Sequence, residues 1–257
     1  MKNQRISLIL RYLTPLFCFA GVLLLQNIYL NKITSKNKTE VDYTQEEQSI
    51  EVVLNLQKNL PSFGFDNLIA NWNFLNFIQY YGDTEARDKI GYSLTPDYFE
   101  TIVDRDPRFV QAYLILSTAN SIYAARPDKT VPLLNRVVRS LSPETSPLAP
   151  YVWIYKGVDE ILYLGNIKAA QNSYETASKW FSIQGNEYMS VQTRGTATFL
   201  ATNPDPKKAQ VGAWATILST TQEKRTQQYA LDKIRSLGAE VFVSPDGKLQ
   251  IRMPEAK

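Results

Sequence analysis

Phe63–Asp83, FGFDNLIANWNFLNFIQYYGD, is the densest apolar segment of this 257-residue chain, and it has the spacing of a helix. Phe65, Leu68, Ile69, Trp72, Leu75 and Ile78 recur every three or four residues, so this face is expected to pack inward. Phe74, Phe77 and Tyr81 widen it until most of the helix is expected to be covered. Asp66 stands where a carboxylate meets the unpaired N–H groups of a helix start, and Gly82 stands where a C-cap falls. Asn67, Asn71, Asn73 and Asn76 are unusual company, because buried amides need hydrogen-bond partners. They either satisfy neighbouring backbone and water or form a polar stripe that receives a partner helix.

Outward from this segment the chain keeps reading as helix. Ser49–Leu56 begins a short amphipathic helix that stops before Pro61. After it, Thr95-Pro96-Asp97 opens a helix that ends near Asp106-Pro107. Further helices are expected over 108–125, 130–141, 149–164, 167–181, 187–202, 207–221 and 226–237, joined by short Pro/Gly turns. Helices of this length in alternation indicate helical hairpins. At the end, Glu240–Val243, Ser244-Pro245-Asp246-Gly247 and Lys248–Arg252 read as a β-hairpin.

Tyr12–Asn31, YLTPLFCFAGVLLLQNIYLN, carries no charged residue. A helix of about 20 residues matches a bilayer's hydrocarbon core of roughly 30 Å, so a membrane span is expected here. Lys2, Arg5 and Arg11 precede it; Lys32, Lys36 and Lys38 follow. That balance leans to a cytoplasmic N-terminus and a non-cytoplasmic domain, with the side left open. A cleaved signal peptide is the alternative, but the apolar run continues past the small-residue candidate at Ala20 through Val22–Leu25. The expected organisation is a basic segment 1–11, a transmembrane helix 12–31, a polar linker 32–48 that either stays a linker or forms the first turns of a helix, a helical domain 49–238, and a β-hairpin and tail 239–257.

Composition narrows the chemistry. There is no His, and the one Cys, Cys18, lies in the apolar run. His-based catalysis, His- or thiolate-ligated metal and intrachain disulfides are therefore not available to the rest of the chain. No cofactor and no metal are expected. The net charge of +3, without a long basic run, gives no footprint for nucleic acid. Asp97, Glu100, Asp104 and Asp106, with Asp159-Glu160, are the carboxylates an enzyme would use; a solvated acidic surface paired with Arg105 and Arg108 is the plainer account. The chain is expected not to be an enzyme.

Gly165-Asn166-Ile167-Lys168-Ala169-Ala170-Gln171-Asn172-Ser173-Tyr174-Glu175-Thr176-Ala177 resembles the second half of a tetratricopeptide repeat. Gly165 and Asn166 fit the turn, Ala170 and Ala177 the close approaches, and Tyr174 the groove; Gly157-Val158 fits the small-residue region of the preceding helix, where Ile154 replaces the usual aromatic. Asp106–Ser117 resembles a repeat boundary and first helix through Ala112, Tyr113, Leu116 and Ser117. The chain as a whole resembles a group of membrane-anchored, tetratricopeptide-like cyanobacterial proteins, through Leu60–Leu68 and Tyr80–Asp83. These resemblances imply an all-α fold: an N-terminal transmembrane helix, a right-handed array of helical hairpins, and a small terminal β-hairpin. They also imply a single-pass protein of a plasma or thylakoid membrane.

The function expected from these features is a membrane-tethered interaction scaffold that aids assembly or maintenance of a membrane protein complex. A permanent structural subunit of such a complex is the alternative, and a carboxylate-dependent enzyme is the third. Candidate partner-binding residues are Asn71, Asn73, Asn76, Tyr113, Asn120, Tyr123, Tyr155 and Arg194.

Overall fold

A computed structural model describes residues 19–27, 39–244 and 249–253. The chain divides into two compact units, 1–42 and 43–257. In the first, residues 19–27 are helical. At 1.5 Å per residue they rise about 14 Å, under half of a hydrocarbon core. Among the described residues no helix is long and apolar enough to cross a membrane. The expected transmembrane helix is corrected accordingly, and with it the single-pass localisation, the membrane tether and the membrane partners. Positions 12–18 and 28–31 of the expected span, and the basic segment 1–11, lie outside the described residues.

Helix α1, Glu40–Asn59, starts at the end of the first unit. Thr39 and Asp42 form a reciprocal cap: the Thr39 hydroxyl donates to Asp42 Oδ2 at 2.8 Å, and the Asp42 amide donates back to Thr39 Oγ1 at 3.3 Å. Of the two readings of the polar run before Ser49, linker or first helical turns, this cap decides for helix from Glu40. The Glu- and Gln-rich run after it consists of good helix formers.

The rest of the second unit is helical up to its last elements. It contains α2 (Asp66–Gly82), α3 (Thr84–Ile90), α4 (Thr95–Arg105), α5 (Val110–Ser117), a π-helical stretch (Thr118–Tyr123), α6 (Pro127–Ser140), α7 (Ala149–Leu162), α8 (Ile167–Ile183), α9 (Glu187–Leu200), α10 (Lys207–Thr220) and α11 (Lys224–Ser236). Two of these depart from expectation. Helix α3 begins directly after Gly82, because the Asp83 carboxylate accepts from the Ala86 amide at 3.2 Å and starts a new helix. The helix expected over 108–125 loosens to π geometry after Ser117 and ends at Tyr123, before Ala125, whose φ is 52°.

Helix α8 packs against both α7 and α9, α10 packs on α11, and α2 packs on α4, giving the hairpin-like packing of an all-α fold. The two turns flanking α8 are alike. Gly165 (φ 63°) and Gly185 (φ 75°) take the left-handed conformation that ends a helix. Asn166 and Asn186 follow and cap the next helix, accepting from Ala169 and Met189 amides at 3.0 and 3.1 Å. Strands β1 (Glu240–Val243) and β2 (Leu249–Arg252) pair antiparallel with Val241 opposite Ile251; residues 245–248 lie outside the described residues.

The main core gathers side chains from α2, α4, α5, α6 and α7. At its centre Phe77 meets Phe99 with ring centroids 4.7 Å apart and Tyr98 at 5.9 Å. The residues of α2 that turn inward are Ala70, Asn73, Phe77 and Tyr80, not the expected stripe. Both sets obey the helical period. The inward set wins because its aromatic rings meet those of α4, and its small members Ala70 and Asn73 permit close approach.

Candidate interaction surface

The reversal of α2 leaves a ridge of large apolar side chains facing out. Phe65, Leu68, Trp72, Leu75 and Ile78 are 62, 64, 57, 57 and 45 % exposed. Leu56, Leu60 and Phe63 continue the apolar surface from the end of α1 and the α1–α2 turn. Next to the ridge is an apolar hollow of about 410 Å³ lined by Gln57, Leu60, Pro61, Leu68, Ile69 and Trp72. Asn67 and Asn71 are exposed on the same helix. The helix carries no Lys or Arg, and its one charged residue is Asp66.

Arg105 fixes the turn that presents Phe63 and Phe65. Its guanidinium pairs with Asp66 at 3.0 Å and donates to the carbonyls of Lys58 at 3.3 Å, Leu60 at 2.6 Å and Gln57. These are the free carbonyls at the end of α1, where a cation is favoured. The Ser62 hydroxyl and Arg105 together hold the Asp66 carboxyl below its usual range. Phe63 and Gly64 then turn the chain with φ of 50° and 88°.

Further along the seam with α1, α2 lines a groove of about 450 Å³. Polar groups around it are organised by Arg87, whose Nη1 donates to Glu47 at 3.2 Å and to the Gly91 carbonyl at 2.5 Å, while its guanidinium carbon lies 3.7 Å from the Tyr80 ring centroid. The Tyr80 hydroxyl donates to Glu47 at 2.8 Å and accepts from the Leu94 amide at 3.1 Å. Burial pushes the Tyr80 phenol well above its usual pKa.

The residues singled out in the sequence do not gather in one place. Asn71 is exposed, Asn76 is half-buried beside the groove, and Asn73 is buried with its amide donating to the Ile69 carbonyl at 2.8 Å. Tyr113 is fully buried, and its hydroxyl donates to the Asp106 carbonyl. Asn120 is fully buried, and neither of its amide atoms has a hydrogen bond among the described residues. Tyr123 is half-buried in a ring cluster, 5.3 Å from both Tyr81 and Tyr92. Tyr155 is half-buried on α7 and Arg194 is exposed on α9. Sequence reasoning missed Arg87, Glu47 and Tyr80. The only signal for them was a lone Arg within reach of an aromatic run.

Asp97, Glu100 and Asp104 are engaged with cations, although not with the two expected. Lys58 pairs with Glu100 at 2.7 Å and Asp97 at 3.4 Å, Arg136 pairs with Asp104, and Arg105 goes to Asp66. Among the described residues no group of three or more His, Cys, Asp or Glu is placed to hold a metal ion.

Two buried sets of polar groups lie on α7. Lys156 donates to Glu160 at 2.5 Å and to Ser173 at 2.9 Å, and Ser173 donates to Glu160 at 2.7 Å, closing a triangle between α7 and α8. Asp159 is fully buried. Burial pushes its carboxyl up to about 7 against the opposing pull of the Ser117 and Ser121 hydroxyls, and the Glu160 charge adds to the rise. Neither carboxylate oxygen has a hydrogen bond of good geometry among the described residues.

Comparison with protein-family models, curated proteins and solved structures finds no match to this chain. The resemblance to membrane-anchored cyanobacterial proteins therefore gains no support from relatives. With no membrane-crossing helix among the described residues, it is withdrawn, and what remains is the all-α fold of packed helical hairpins.

Proposed function

We propose that this chain is a protein-interaction module and that the outer face of α2 receives an amphipathic helix of a partner protein. The observation that carries this is the exposed ridge Phe65, Leu68, Trp72, Leu75, Ile78. Aromatic side chains alone offer roughly 150–250 Å² each, so with its neighbours the ridge exceeds the few hundred Å² usual for a monomer's apolar patch. Over 13 residue steps it runs about 20 Å, and its three- and four-residue steps match the seam along which two helices pack. The hollow beside Trp72 gives a socket for one large side chain of the incoming helix. Lipid is the poorer occupant: a helix that lies on a bilayer carries Lys or Arg on its polar face, and α2 has neither. The function is binding, not catalysis.

The test is a benzophenone amino acid at position 75 of the full chain, irradiated in the cells that make it, with adducts mapped to single peptides. The expected result is cross-linking to one helical segment of a different protein, with apolar residues every three or four positions, abolished by Leu68→Ser. Adducts to this chain's own α2, to lipid alone, or to no defined segment would overturn it.

A further inference from the structure

The groove between α1 and α2 adjoins the ridge, and Gln57 lines both it and the hollow beside Trp72, but no ridge side chain lines the groove itself. Two polar atoms of its lining are buried and have no hydrogen-bond partner among the described residues: Arg87 Nε, a donor, and Gln57 Oε1, an acceptor. The Arg87 side chain is only 5 % exposed, so water does not freely replace the missing acceptor. Glu47, which holds Arg87, and Gln57 are ten residues apart on α1, about 15 Å along the helix. An extended chain covers that distance in about five residues. It also carries both missing partners, a carbonyl for Arg87 and an N–H for Gln57. The amides of Asn76 and Gln79 line the stretch between.

Charge selects the kind of peptide. Glu46, Glu47 and Asp83 line the groove against one cation, Arg87. A basic segment is attracted to this surface and an acidic one is repelled. Ile50, Val53 and Leu54 add apolar wall for the stems of Lys or Arg side chains. We propose that the α1–α2 groove binds an extended basic peptide of about five residues, and that Arg87 and Gln57 turn their unpartnered atoms out to a backbone carbonyl and a backbone N–H as it seats.

The experiment pans a phage-displayed random octapeptide library against the full chain and measures the selected peptides by fluorescence polarisation. Enriched peptides are expected to carry Lys or Arg and to lack Asp and Glu. Their affinity is expected to fall about tenfold with Gln57→Met, with Asn76→Ala, and with N-methylation of a central peptide amide. Leu75→Ser on the ridge is expected to leave it unchanged, which separates this site from the helix-docking face. Arg87 is not substituted, because its buried pairing with Glu47 supports the fold. No enrichment, enrichment of acidic peptides, or affinity indifferent to Gln57→Met and Asn76→Ala would overturn the proposal.

Discussion

A Cβ on Gly157 would stand 2.8 Å from Cε2 of Tyr174, so α7 and α8 approach where only a glycine fits without a shift. Ala170 and Ala177 are fully buried on the same helix as Tyr174, keeping the approach close along its length. Gly157→Val is therefore expected to lower stability by about 1–3 kcal/mol through overpacking, despite the poor helix propensity of glycine. Urea denaturation measures it. Adding Tyr174→Ala should restore part of the loss in the Gly157→Val background while destabilising the parent chain; strictly additive losses would show that the two side chains do not meet.

That helix pair was legible in the sequence for a physical reason. Gly165-Asn166 and the small residues at 157, 170 and 177 are demanded by backbone geometry, and few other residues satisfy it. The orientation of α2 was not legible. Phe65, Leu68, Trp72, Leu75 and Ile78 form the more hydrophobic stripe, yet Ala70, Asn73, Phe77 and Tyr80 face the core. Periodicity detects a stripe but not what stands opposite it, and here the aromatic rings of α4 decide. The groove was hidden for a similar reason: Glu47 and Arg87 are forty residues apart, and half of the pair lies in a polar run whose composition suits a linker as well as a helix start.

The Lys156–Glu160–Ser173 triangle couples α7 to α8 through buried charge. Lys156→Met leaves Glu160 without its cation in a site where the pair is 8 and 4 % exposed. A loss of about 3–5 kcal/mol is expected from that single change. The double variant Lys156→Met with Glu160→Met should recover most of it, because two apolar side chains carry no desolvation cost. Equal losses in the single and double variants would mean that packing, not charge, fixes this contact.

Asp159 makes stability depend on pH. Its folded carboxyl titrates at about 7, raised from the ordinary 3.8, so the folded state holds the proton more tightly than the unfolded chain. Its favourable contribution is complete below about pH 4 and is lost as pH rises through 7. The full loss is on the order of 4 kcal/mol. Carboxyls held low, such as Glu100 and Asp128, act in the opposite sense, so the measurement needs a difference. Asp159→Asn mimics the protonated form. Its stability advantage over the parent should be about 3 kcal/mol larger at pH 8 than at pH 5. A gap that does not change with pH would place the Asp159 titration outside this range.

The two faces of α2 predict opposite responses to truncation. Phe77 is fully buried among Phe99, Tyr98 and Tyr81, so Phe77→Ala should cost about 3–5 kcal/mol. Trp72 and Leu75 are each 57 % exposed on the ridge, and replacing either by Ala should change stability by no more than about 0.5 kcal/mol. Trp72 also reports on its own surroundings, since it is the most exposed of the four Trp side chains. Its emission should be that of a hydrated indole in the isolated chain and should shift to the blue when a helix covers the ridge. Comparing the parent with Trp72→Phe assigns the signal. If Leu75→Ala proves as costly as Phe77→Ala in the isolated chain, the ridge is core and cannot serve as a docking surface.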